Sequence, residues 1–265
     1  MTRPRRIWSL LAVAAAVLAF LLTACGEIPA SGGAASSFAA RGVTLRVFAA
    51  ASLKATFTQL AQEFEDDHPG TTVSINVGGS SDLVSQLQNG APADVFASAD
   101  EATMAKATNA GLVNGTPQVF ATNVLELAVP KGNATGIHSL QDLSRPGVRL
   151  VVCAKQVPCG AAAQKAAQAA GVTLKPVSEE QSVTDVLAKV MSGDADAGLL
   201  YMTDVKSTAG KVDGVPFPQA TAAVNRYPIA ALKQSKEAAL AQAFVDFIGG
   251  DSGRKVLGDA GFGAP

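Results

Sequence analysis

From residue 43 to residue 248, short runs rich in β-branched and aromatic residues alternate with stretches whose apolar residues recur at helical spacing. That order excludes an all-α or all-β chain and predicts parallel sheets flanked by helices. Residues 44–49 (TLRVFA) read as a strand, after which Leu53, Phe57, Leu60, Ala61 and Phe64 keep one helical face as far as Pro69-Gly70. The unit then repeats. Val73, Ile75 and Val77 alternate as a strand, Gly78-Gly79-Ser80-Ser81 reads as a turn, and Leu83, Val84 and Leu87 open a helix that stops at Asn89-Gly90. Residues 94–97, with a helix from Asp100 to a cap at Gly111, make a third unit.

Residues 124–130 (VLELAVP) are a further strand, and the pattern restarts after it with a strand over 148–153 and a helix over 160–170. The next helix carries the most signals: Val183, Val186, Leu187, Val190 and Met191 lie on one face, Ser182 is its N-cap, Asp185 stands at the third position and Gly193 lies past its end. Residues 197–201 (AGLLY) and 226–232 (RYPIAAL) read as strands, and Leu240, Phe244, Phe247 and Ile248 mark a closing helix. Two βα sets separated near residue 123, with a terminal helix free to return to the first, predict two lobes around a cleft. Residues 43–123 and 226–265 are assigned to lobe 1 and residues 124–225 to lobe 2. The content of 48% hydrophobic and 16% charged residues supports a substantial core.

The N-terminus carries an address. Arg3, Arg5 and Arg6 precede an apolar stretch over residues 7–22, which is short for a membrane span and ends in Leu22-Thr23-Ala24-Cys25-Gly26. This resembles a bacterial lipoprotein signal, which implies a signal peptide over residues 1–24, cleavage before Cys25 and lipidation of its thiol on the outer face of a membrane. Residues 25–42 are rich in Gly, Ser and Ala, the composition of a flexible tether. Removing residues 1–24 takes three Arg and no acid, so 18 basic residues remain against 22 acidic ones and the net charge becomes −4. That sign argues against nucleic acid as a partner.

Open α/β sheets bind ligands beyond the carboxyl ends of their strands. The strand-to-helix turns here carry Ser52, Ser80, Ser81, Cys159-Gly160 and Ser182-Val183, and Tyr201 ends a strand. None is strongly charged. Hydroxyls together with the unpaired amides of helix N-termini hold an anion without Lys or Arg, although each serine alone also reads as an ordinary N-cap. Catalysis is poorly served: neither Ser52 nor Ser80 lies in a G-x-S-x-G elbow, the chain has two histidines, and no phosphate-binding G-x-x-x-x-G-K-[ST] loop occurs. A serine hydrolase, or a receptor for another tetrahedral oxyanion such as sulfate, remains the alternative. A ferric site is disfavoured because Tyr201 and Tyr227 are the only tyrosines.

The segments VFAAASL (47–53), GGSSDL (78–83), GAPADVFASAD (90–100), VPCG (157–160), SVTDVLAKV (182–190), DAGLLY (196–201) and GFG (261–263) resemble, in order, those of the periplasmic molybdate-binding proteins of ABC importers. The resemblance implies a two-lobed periplasmic-binding-protein fold of type II. Each lobe would be a mainly parallel sheet flanked by helices, with molybdate or tungstate in the interlobe cleft. It also implies no enzymatic activity and no cofactor, and a monomer serving a permease with its cytoplasmic ATPase. Carried over by position, Ser52 and Ser80 would offer hydroxyl and backbone donors, Cys159 and Val183 backbone N–H groups, and Tyr201 its hydroxyl. The molybdenum would be held through its oxygens, with no direct metal ligand from the protein.

With Cys25 assigned to lipid, Cys153 and Cys159 remain as an even pair in an exported domain, which predicts a disulfide. Two free thiols are the alternative reading. The spacing excludes a redox C-x-x-C, and a metal site lacks partners because His68 and His138 sit in polar, turn-like settings.

Overall fold

The computed structural model describes residues 42–265. The expected signal peptide, Cys25 and, Gly42 apart, the tether lie outside the described residues.

β1 (Val43–Ala50) opens the fold with Leu45, Val47 and Ala49 fully buried. A 3-10 turn over Ala51–Leu53 leads into α1 (Lys54–Asp67), which buries Phe57, Leu60, Ala61 and Phe64 along one stripe. β2 (Thr71–Gly78) runs almost directly into α2 (Ser80–Gln88), so the expected turn over residues 78–81 is a single residue long. Gly79 takes the extended cap conformation (φ −60°, ψ 131°), and both serines already belong to the helix. β3 (Val95–Ala97) and α3 (Glu101–Asn109) complete three βα repeats, and Asp100 caps α3 by accepting from the Thr103 amide at 2.8 Å. β4 (Gln118–Asn123) follows, and at Val124 the chain crosses into a second sheet.

There it forms β5 (Leu125–Pro130), β6 (Leu150–Cys153), α4 (Pro158–Ala170), β7 (Ser178–Glu180), α5 (Val183–Met191), β8 (Ala197–Tyr201), α6 (Met202–Ser207) and β9 (Val212–Val215). It returns through a 3-10 segment, Pro218–Ala223, to β10 (Asn225–Ala231) and ends in α7 (Ala238–Gly249) and α8 (Asp251–Ala260).

The two sheets have the orders β2-β1-β3-β10-β4 and β7-β6-β8-β5-β9. In each, the first three strands pair in parallel. The strand that arrives from the other lobe, β10 or β5, is antiparallel to both neighbours. Four of five strands in each sheet therefore point the same way, because a strand entering from across the cleft must run against those that begin on its own side. The architecture is the two-lobed α/β fold that the alternation predicts, with sheets of mixed pairing.

The terminal helices return to the first sheet. Phe244 of α7 meets Phe64 edge-on at 5.1 Å and Phe57 at 6.2 Å between ring centroids. Phe48, Leu83, Leu87, Phe96 and Met104 form a second cluster on the other face, under α2 and α3. Each such fully buried side chain contributes about 1.5–3 kcal/mol. Among the described residues no helix is long and apolar enough to cross a membrane.

Candidate functional site

Six strand ends converge on one cleft. Ser52 follows β1, Ser80 follows β2, Ala99 follows β3, Cys159 follows β6, Val183 follows β7 and Tyr201 ends β8, and all six line a cavity of about 20 Å³. The five residues singled out as ligand candidates, Ser52, Ser80, Cys159, Val183 and Tyr201, thus face one space despite separations of up to 149 positions in the chain. The space suits a compact solute and is far below the 300–1,000 Å³ typical of sites for organic ligands. Ser81 is not among the lining residues; its hydroxyl donates to the Gln156 carbonyl at 2.8 Å, from the first lobe to the second. The lobes are in contact over the cleft, since a Cβ added at Gly79 would stand 2.2 Å from the Gln181 carbonyl oxygen.

The lining presents neutral hydrogen-bond donors and no charged side chain. The first amides of α2, α4 and α5 have no carbonyl one turn back to bind, and the positive end of each helix dipole is there. Ser80 accepts from the Ala99 amide at 3.0 Å, which occupies a lone pair and leaves its O–H to donate. Ser52 Oγ lies 3.0 Å from Tyr227 Oη. Ser182 closes its own cap, accepting from the Asp185 amide at 3.3 Å and donating to the Asp185 carboxylate at 2.8 Å, and so starts α5 with Val183 at the cavity.

Tyr201 gives the most pointed signal. Its ring is buried, and its hydroxyl finds no partner among the described residues, Tyr227 included, although the two rings meet edge-on at 5.9 Å. A buried hydroxyl left unpaired costs about 1–3 kcal/mol, and an acceptor in the cavity removes that cost. Burial first, then the neighbouring Tyr227, Asp100 and Asp204, raise the Tyr201 pKa well above its ordinary value, so the phenol keeps its proton. Beneath it, burial raises the Asp204 carboxyl to about pKa 7, against the opposing effect of the Tyr201 amide, which donates to Asp204 at 3.1 Å.

The Cys153 and Cys159 sulfurs are bonded, with Cα atoms 5.7 Å apart, so residues 154–158 form a closed loop that sets the start of α4. Gly160 allows this packing, because a Cβ there would lie 1.9 Å from the Ala154 carbonyl oxygen. Neither candidate serine meets a histidine. His68 is held at the Phe64 carbonyl, 2.9 Å away, and stacks on the Phe64 ring. Among the described residues no three His, Cys, Asp or Glu side chains gather as a metal site.

Four residues behind the lining escaped sequence reading as site residues: Asn123, Thr203, Asp204 and Tyr227. Tyr227 is 175 positions from its partner Ser52, and Asn123 is 80 from its partner Thr203, so no motif spacing links them. For Asn123 and Tyr227 the available signal is an amide closing the strand segment FATN and a phenol beside the apolar run PIAAL.

Comparison with known proteins identifies the kind of protein that shares this chain's sequence and fold. The molybdate-binding protein ModA of Mycobacterium tuberculosis H37Rv is 48% identical over 251 residues, which cover 94% of this chain and 95% of that protein. ModA of Escherichia coli K12 is 30% identical over 246 residues, 87% of this chain and 95% of its own. The solved periplasmic molybdate-binding protein of Azotobacter vinelandii matches with a TM-score of 0.73 at 27% identity, covering 83% of this chain and 99% of that one. The model for the bacterial extracellular solute-binding protein family matches residues 45–263, and the chain belongs to that family.

Proposed function

We propose that the protein captures molybdate, or tungstate with the same tetrahedral oxygens, outside the cytoplasmic membrane. It then delivers the anion to an ABC-type permease driven by a cytoplasmic ATPase. In this reading Ser52 and Ser80 donate through hydroxyl and backbone groups, Cys159 and Val183 through backbone N–H groups, and Tyr201 through its hydroxyl. The protein works as a monomer, tethered through lipid on Cys25, and does no chemistry on its ligand. The observation that carries the reading is the cavity lining: neutral donors from six strand ends, with no charged side chain and one buried phenol lacking an acceptor. The 48% identity to ModA over nearly the whole chain selects molybdate among tetrahedral anions.

Binding without turnover is supported by the partners of the two serines, which are Tyr227 and the Ala99 amide and not a base. Discrimination follows from donors alone. A ring of donors set for a larger anion makes long contacts with a smaller one, and a partly protonated phosphate turns its own O–H toward a donor, leaving both unsatisfied. Calorimetry on the purified protein tests the reading: molybdate and tungstate bind tightly at 1:1 and sulfate much more weakly. Equal affinity for sulfate would overturn the choice of ligand.

A further inference from the structure

A serine hydroxyl serves an anion only when its proton faces the ligand. With the proton turned away, the oxygen presents lone pairs to negative charge. Among the described residues Ser52 Oγ has one partner, Tyr227 Oη at 3.0 Å, and the distance alone permits either group to donate.

The next group along the chain of contacts decides. The Asn123 amide lies 3.5 Å from Tyr227 Oη through its Nδ2, which only donates. The orientation of this amide is fixed by its other end, because Asn123 Oδ1 accepts from the Val124 amide at 3.0 Å. The second Nδ2 hydrogen goes to Thr203 Oγ1 at 2.7 Å, so both amide hydrogens are used. Asn123 can only give to the phenol, so among the described residues Ser52 Oγ is the one hydrogen-bond partner able to accept the phenol's own hydrogen, and the Ser52 proton is left for the cavity. Asn123, Thr203 and Tyr227 are all buried, so water does not scramble these directions. The Tyr227 ring is held edge-on by Phe262 at 5.5 Å, Tyr201 at 5.9 Å and Phe120 at 6.3 Å, which fixes where its hydroxyl stands. Burial raises the Tyr227 pKa far above its ordinary value and keeps the proton on the phenol.

We propose that Asn123 and Tyr227 are positioning residues that aim the Ser52 hydroxyl as a donor at the bound oxyanion. The proposal rests on the oxyanion reading above. Neither side chain lines the cavity; both act through Ser52. Asn123 stands at the end of β4, where the chain crosses between lobes, and Thr203 belongs to α6 beside the second sheet. The donor direction at Ser52 is thereby set from the place where the chain crosses between the lobes.

A double-mutant cycle on the full-length purified protein tests this, with molybdate as the probe and calorimetry as the readout. In the native background Ser52→Ala weakens binding by about 5- to 150-fold, the range for leaving a polar partner unpaired. Tyr227→Phe alone weakens it by about tenfold, and in that background the Ser52→Ala factor is smaller than in the native one, because a serine proton that is no longer aimed has to be ordered by the anion itself. Asn123→Asp is a second background, in which the phenol donates to the new carboxylate and Ser52 turns its proton toward Tyr227. There the Ser52→Ala cost falls below about twofold, whatever the added charge does to affinity as a whole. The same Ser52→Ala factor in all three backgrounds overturns the proposal while leaving the oxyanion reading intact. Failure of the native protein to bind molybdate, or a native site indifferent to Ser52→Ala, overturns the underlying reading and this inference with it.

Discussion

Gly79→Ala separates lobe closure from lobe folding. The Gly79 backbone has φ −60° and ψ 131°, a conformation alanine adopts without strain. Within its own lobe the new methyl finds Asp82 Oδ2 at 3.6 Å, an ordinary contact. Across the cleft it would stand 2.2 Å from the Gln181 carbonyl oxygen and 3.2 Å from the carbonyl carbon. Both opposing groups are backbone, so neither swings aside, and the lobes must part locally by about 1 Å to restore van der Waals distance. Forcing one methyl into such a contact costs about 1–3 kcal/mol. Because the clash lies between the lobes and not within either of them, that cost is expected to fall on binding in the cleft, a loss of about 5- to 150-fold in affinity. Titration calorimetry reads the loss, and a thermal melt without ligand checks the fold. Unchanged affinity would refute the argument, and so would an unliganded midpoint lowered by as much free energy as binding loses.

Other substitutions probe separate parts of the account. Tyr201→Phe removes the unpaired hydroxyl, so the unliganded protein is as stable as before or more so while molybdate binds about 5- to 150-fold more weakly; undiminished affinity takes Tyr201 out of the site. Asp204, at about pKa 7 folded against about 4 unfolded, holds its proton more tightly in the native state. Its contribution is therefore present at low pH and is lost as pH rises from about 4 to 7, by at most about 4 kcal/mol. Asp204→Asn removes that slope from urea-denaturation profiles, and parallel wild-type and variant profiles would contradict it. Opening the Cys153–Cys159 loop by changing both residues to Ser lowers stability by roughly 2 kcal/mol in the chain-entropy picture, read as a lower urea midpoint. Cys25→Ser releases the protein from membranes with binding intact, and retention in the membrane fraction would rule out the lipid anchor.

The parts of the fold legible in the sequence are those whose signals are local. α5 was read because its apolar stripe, its Ser182 cap and Gly193 all lie within a dozen residues. β7 (Ser178–Glu180, SEE) and β9 (Val212–Val215, VDGV) escaped because three- or four-residue strands with little apolar alternation owe their conformation to the strands beside them. α6 begins directly at the end of β8 with no turn residue to announce it. At the site, the turn residues Ser52, Ser80, Ser81, Cys159 and Ser182-Val183, with Tyr201 closing a strand, are legible as local strand ends or helix starts, and the family resemblance narrows them to Ser52, Ser80, Cys159, Val183 and Tyr201. Asn123 and Tyr227 are not legible in this way, since their roles arise from contacts over 104 and 175 positions that only the folded chain makes.

The most direct test of the central claim is a crystal structure of the molybdate complex, with the metal located by its anomalous scattering. One molybdenum is expected in the interlobe cleft. Its oxygens accept from the hydroxyls of Ser52, Ser80 and Tyr201 and from the amides of Cys159 and Val183, at about 2.6–3.2 Å. Molybdenum bound elsewhere, or in the cleft with the Tyr201 hydroxyl still unpartnered, would contradict it.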